Sequence, residues 1–103
     1  MLRVRFRPEA RAELRAARGW YERRVGGLGR AFIAEVDATI SFLRLHPQMY
    51  AAVSADEQVR RALLHRFPYS LVYEVLTTHE VVILACRHIR QDEVNWNLVR
   101  RDV

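Results

Sequence analysis

The chain has 103 residues, 50% apolar and 28% charged, which fits one globular domain and not a disordered tail. No apolar run approaches the roughly 18 residues a membrane span needs, and the opening MLRVRFRPEA lacks the apolar centre of a secretory signal. The only cysteine, Cys86, excludes an internal disulfide framework and a multi-cysteine zinc site, so a reduced, cytoplasmic protein without a metal or cofactor is expected.

Seventeen basic residues against twelve acidic ones leave a net charge of +5. Every basic residue is Arg; Lys is absent. An Arg-rich codon usage accounts for that bias as well as a functional demand does. The net excess nevertheless favours polyanionic partners, either nucleic acid or an acidic protein segment. Arginine supplies a planar fork for phosphate or carboxylate and keeps its proton at neutral pH.

In chain order, residues 2–6 alternate. Leu2, Val4 and Phe6 face a core and Arg3, Arg5 and Arg7 face water, as in a half-buried strand. Pro8 suits a first helical turn and Glu9 the positive end of the helix dipole. From there to Arg24 the chain reads as helix, with Ala10, Leu14, Ala17 and Tyr21 on one stripe and Arg7, Arg11, Arg15 and Arg18 on an adjoining one. Gly26-Gly27-Leu28-Gly29 breaks this helix. The cluster follows a helix and lacks the spacing of phosphate-binding loops, so it reads as a turn. A second helix runs to about Leu45, with Phe32, Val36, Ile40 and Leu43 aligned, and His46-Pro47 ends it. Two helices joined this tightly form an antiparallel hairpin.

The period then changes to that of strands. Val59–Leu64, Tyr69–Leu76 and the almost wholly apolar Val81–Cys86 are three strands with short connections, an antiparallel meander. The tail beyond His88 offers Val94, Trp96, Leu98 and Val99 for packing. The expected architecture is α+β, in the order β-α-α-β-β-β, with the hairpin laid on one face of a small, mainly antiparallel sheet. Leu14, Ala17, Tyr21, Phe32, Val36, Ile40 and Leu43 should then be buried against Leu71, Tyr73, Ile83 and Ala85 or their face-mates.

The chemistry on offer is basic and aromatic. The histidines show no metal-ligand spacing, the serines no nucleophile motif, and Cys86 lies in the most apolar strand as an inert thiol. Arg60, Arg61, Arg66, Arg87 and Arg90, with His65 and His88, all come from the three-strand half. They form either a solvated charged face or a surface for a polyanion, on which Tyr69, Tyr73 and Trp96 offer stacking rings, although Tyr73 suits the core better.

The string Arg66-Phe67-Pro68-Tyr69-Ser70-Leu71-Val72-Tyr73-Glu74-Val75 resembles a signature strand of the RelE/ParE toxin superfamily. Trp20-Tyr21-Glu22 with the Gly-rich turn, His46-Pro47-Gln48-Met49-Tyr50, and Ile83-Leu84-Ala85-Cys86-Arg87-His88 followed by Arg90, Asp92, Trp96 and Arg100 resemble other parts of that family in family order. The resemblance spans nearly the whole chain. It implies a toxin of a toxin–antitoxin pair, also known as a plasmid stabilisation protein, in complex with a separate acidic antitoxin. Members of the mRNA-cleaving branch act on the ribosome and commonly carry a basic residue where this chain has Ser70, and a catalytic His or Tyr where it has Ile89 and Arg90. The Phe-Pro-Tyr and His-x-Arg segments are more similar to the ParE branch, which binds DNA gyrase without nuclease activity.

The resemblance therefore implies a target-binding set of Arg60, Arg66, His88, Arg90, Trp96 and Arg100. The basic stripe Arg7, Arg11, Arg15 and Arg18 is expected to meet the antitoxin. Two alternatives stay open: a ribosome-dependent mRNA endonuclease using His88 or His65 with Glu74, Arg66 and Arg87, and a basic binding module without toxicity.

Overall fold

The structure, a computed structural model, describes residues 2–91 and 94–99 and begins with strand β1, Arg3–Phe6. Leu2, Val4 and Phe6 pack on the core, while Arg3 and Arg5 are exposed. Helix α1 is Pro8–Arg24, with Pro8 in its first turn and Arg23 and Arg24 in its last, where they suit the negative end of the dipole. Arg7 departs from the sequence reading. It sits at the N-cap with its side chain only 11% exposed, because its amide is bonded to the Ile83 carbonyl at 3.0 Å and the residue is drawn against the sheet.

Helix α2 is Leu28–Leu45. Glu22 locks the turn between the helices by accepting hydrogen bonds from the amides of Gly27 and Gly29, both at 2.9 Å. These bonds hold its carboxyl below the usual range. Gly27 has φ 90°, in the left-handed region that favours glycine. Gly29 is glycine for a different reason: a Cβ there would lie 2.8 Å from the Arg18 carbonyl oxygen. The helices touch backbone to backbone at this point.

Strands β2 (Ala51–Ala52), β3 (Val59–Leu63), β4 (Tyr69–Val75) and β5 (Glu80–His88) follow, then a 3-10 turn, Ile89–Gln91, and the short helix α3, Trp96–Val99. The sheet order is β1-β5-β4-β3-β2, antiparallel except for β1 beside β5. The architecture is the expected α+β arrangement with β2 added. β2 is too short to show alternation, and it exists through its pairing with Arg60 and Arg61.

The helical stripes bury Ala17, Tyr21, Phe32, Val36 and Leu43 against Leu71, Tyr73 and Ile83, with Leu14 and Ile40 partly buried at the margin. Phe32 is fully buried, which contributes about 1.5–3 kcal/mol, and its ring lies 5.2 Å from Phe67 and 5.4 Å from both Tyr21 and Tyr69. One expected contact is corrected. Val72 pairs with Ala85 and Tyr73 with Ile83, so Leu84 has no partner and forms a β-bulge. The bulge shifts the alternation of β5 by one residue. Cys86 takes the helix-side place foreseen for Ala85, and Ala85 joins Val59, Val72, Val82 and Leu84 on the opposite face. That second face is closed by Trp96, with Val53 and Val94 beside it.

Candidate functional site

The C-terminal end of β5 and the β3–β4 loop meet at one end of the sheet. Tyr69 pairs with His88 and Ser70 with Arg87, and beyond the strand the Ile89 amide donates to the Pro68 carbonyl at 2.9 Å. This end gathers Arg66, Arg87, His88 and Arg90. Arg66 is exposed, its guanidinium 5.5 Å from the Phe67 ring centre. Its loop is fixed from α2, where the Glu35 carboxylate accepts the amides of His65 and Arg66. His88 lies edge-on to Tyr69, ring centres 5.3 Å apart, and its Nδ1 accepts the Arg90 amide at 3.1 Å. Arg87 reaches Glu13 of α1 at 3.5 Å and donates to the Gln91 carbonyl.

Other members of the expected sets lie elsewhere. Arg60 pairs with Tyr73, towards the far end of the sheet. Its guanidinium donates to the carbonyls of Gln48 at 3.1 Å and Tyr50 at 2.8 Å, so it holds the α2–β2 loop. Trp96 is only 6% exposed. Its ring covers the back of the sheet because that face is apolar, and its place on a contact surface is corrected to a place in the core. Arg100 lies outside the described residues. Glu74 is buried and pairs with Val82, six residues back from His88 along β5, or about 17–20 Å at strand spacing. It stands too far away to share a proton-transfer site with His88, and His65 is an exposed loop residue. Of the α1 stripe, Arg11, Arg15 and Arg18 are exposed, and the Arg11 guanidinium rests over Phe6 at 5.2 Å.

The sequence reading missed a groove of about 770 Å³ between α1 and β5. Trp20, 45% exposed, and Tyr21 line one side, with Tyr69, Cys86 and His88 opposite. The adjacent pair Trp20-Tyr21 carried the signal: helical spacing put Tyr21 on the buried stripe, but it did not say that Trp20 beside it borders an open groove. The Cys86 thiol at the groove floor is pushed up to about 12, first by burial and then by the charge of Glu13, so it is not a nucleophile at neutral pH. Among the described residues no cluster of His, Cys, Asp and Glu is suited to a metal ion, and no helix is long and apolar enough to cross a membrane.

A helical hairpin on a mixed sheet, with a basic end and an aromatic groove, defines a small α+β protein that presents charged and apolar contact surfaces. Residues 4–93 match the family described as the ParE toxin of the type II toxin–antitoxin system parDE, and the chain belongs to that family. Its fold is similar to a solved structure of the chromosomal ParDE toxin–antitoxin system from P. aeruginosa. The TM-score is 0.71 at 22% identity, over 85% of this chain and 96% of that one. A search among curated proteins finds no match.

Proposed function

We propose that this toxin acts in the cytoplasm by binding DNA gyrase, without nuclease chemistry, and is neutralised in a hetero-oligomer with an acidic antitoxin. The observation that carries the reading is the separation of the residues a nuclease would use. The basic end holds Arg66, Arg87, His88 and Arg90, while Glu74 is buried at the far end of the sheet. General acid–base cleavage needs its two groups within hydrogen-bond reach of one substrate. Binding needs only convergent Arg and aromatic surface, which this end has. Arg66, His88 and Arg90 contact the target, and Arg11, Arg15 and Arg18 meet carboxylates of the antitoxin.

Purified protein in two assays tests this reading. It should inhibit gyrase-catalysed supercoiling and leave mRNA intact on translating ribosomes. Ribosome-dependent cleavage that is lost in His88→Gln would establish the endonuclease instead. Inactivity in both assays would favour the basic binding module.

A further inference from the structure

Helix α2 has a second face, turned away from the core. The helix sends Phe32, Val36, Thr39 and Leu43 inward. At 3.6 residues per turn the opposite stripe is Ala34, Ala38, Ser41, Phe42 and Leu45. All five are exposed, Leu45 at 77% and Phe42 at 43%, and none carries a charge. Along one flank of the stripe stand Asp37 and Arg44, both exposed and neither in an ion pair among the described residues. Two large apolar side chains together on an uncharged helix face mark a contact surface.

The spacing on this face makes it complementary to itself. The level midway between Asp37 and Arg44 falls between Ile40 and Ser41. A twofold axis at that level, with a second α2 laid antiparallel, sets Asp37 against the partner's Arg44 and Arg44 against the partner's Asp37. The same axis brings Leu45 to the level of the partner's Val36. There it enters the hole between the partner's Ala34 and Ala38, whose small side chains let the helix axes approach to about 8 Å. The two Phe42 rings meet across the axis, about 4.5 Å apart along the helix. From this we propose that the toxin forms an isologous dimer through the outer face of α2, the occupant of each face being a second copy of the chain. A purely acidic partner would gain from Arg44 but meet a like charge at Asp37. A second α2 supplies both charges, the knob and the hole at matching levels. The net charge of +5 on each chain opposes association at long range, but at physiological salt that repulsion is screened beyond about 8 Å, while the paired charges lie within it. The contact is one helix wide, at the low end of interface sizes, so the dimer is weak and concentration-dependent. The inference does not rest on the proposed function.

The test is sedimentation equilibrium of the purified full chain at concentrations up to about 1 mM, where a dimer of millimolar Kd is still visible. The wild type should self-associate reversibly. Asp37→Arg and Arg44→Asp should each weaken the dimer about tenfold, since either change replaces two attractive pairs with two repulsive ones. An equimolar mixture of the two variants should regain the wild-type constant, because Arg again faces Asp across the axis. Misfolding of either variant cannot produce that rescue. Ala38→Leu fills the hole that receives Leu45 and should abolish the dimer; as a helix-favouring change at an exposed site, it serves if a charge variant does not fold. A wild type that stays monomeric at 1 mM, a dimer indifferent to Ala38→Leu, or charge reversals that the mixture does not rescue would overturn the proposal. A monomeric wild type whose Phe42 and Leu45 NMR signals shift on adding antitoxin or gyrase would overturn it in favour of that partner as the occupant of the face.

Discussion

Single residues in this toxin show how burial decides chemistry. Cys86 and Tyr73 are both raised to about 12, chiefly by burial. For Cys86, the folded thiol keeps its proton while the unfolded one releases it from about its ordinary value of 9.0. The unfolded state then binds fewer protons, so stability present below that pH is lost as pH rises towards 12. Between pH 9 and 10 the stability of Cys86→Ala should therefore fall less steeply than that of the wild type, as read by urea unfolding at each pH. Arg90 and His88 belong to the proposed contact surface. If Arg90 is a hot spot, Arg90→Ala should cost about 1–3 kcal/mol of gyrase binding, measured by titration. His88→Gln, which keeps a polar, hydrogen-bonding side chain, should be tolerated better than His88→Ala. Equal loss in the two His88 variants would point to proton transfer.

At the scale of elements, the helical hairpin depends on one turn. Gly29 has no room for a methyl group, since the Arg18 carbonyl stands 2.8 Å from where Cβ would be and Glu22 Oε1 2.9 Å. Gly29→Ala must push the helices apart or displace Glu22, and is expected to destabilise by about 1–3 kcal/mol in thermal or urea unfolding. Glu22 itself is depressed in the folded state by the Gly27 and Gly29 amides. Its contribution is present above the ordinary carboxyl range and is lost as pH falls through the folded value. Glu22→Gln should flatten the acid limb of the stability curve. A limb of unchanged slope would show that the turn holds without the charge. Much of this element was legible beforehand: the Gly cluster marked the turn and the two apolar stripes marked the faces. Glu22 as the lock was not, because Glu is common on exposed helix surfaces and only the returning α2 amides give it a task.

At the scale of the molecule, the sheet is covered on both faces. The hairpin covers one, and the tail covers the other through Trp96. Trp96→Ala should therefore behave as a core truncation, costing about 3–5 kcal/mol of stability and lowering Tm, in place of a graded loss of target affinity with normal folding. Circular dichroism melts beside gyrase inhibition at low temperature separate the two outcomes. A normal Tm with weakened inhibition would return Trp96 to a contact surface.

What the sequence determined by itself was periodicity and order. Leu2, Val4 and Phe6 at spacing two, Ala10, Leu14, Ala17 and Tyr21 at helical spacing, and the apolar run through Val81–Cys86 are consequences of local geometry, and they survive folding. The expected α+β order follows from them. Periodicity states which residues share a face only while the alternation is unbroken, and it does not say what covers that face; the tertiary structure decided both. The bulge at Leu84 moved Cys86 inward and Ala85 outward because one unpaired residue inverts the alternation after it, with no mark in composition. Arg60 turned under the α2–β2 loop because two carbonyls there needed donors. Glu74 and His88, only fourteen positions apart in the chain, ended at opposite ends of the sheet because an antiparallel hairpin carries the second strand back along the first. Trp20 turned outward and Trp96 inward, since a large ring is placed by the apolar surface left for it, and that surface exists only once the sheet and hairpin have met.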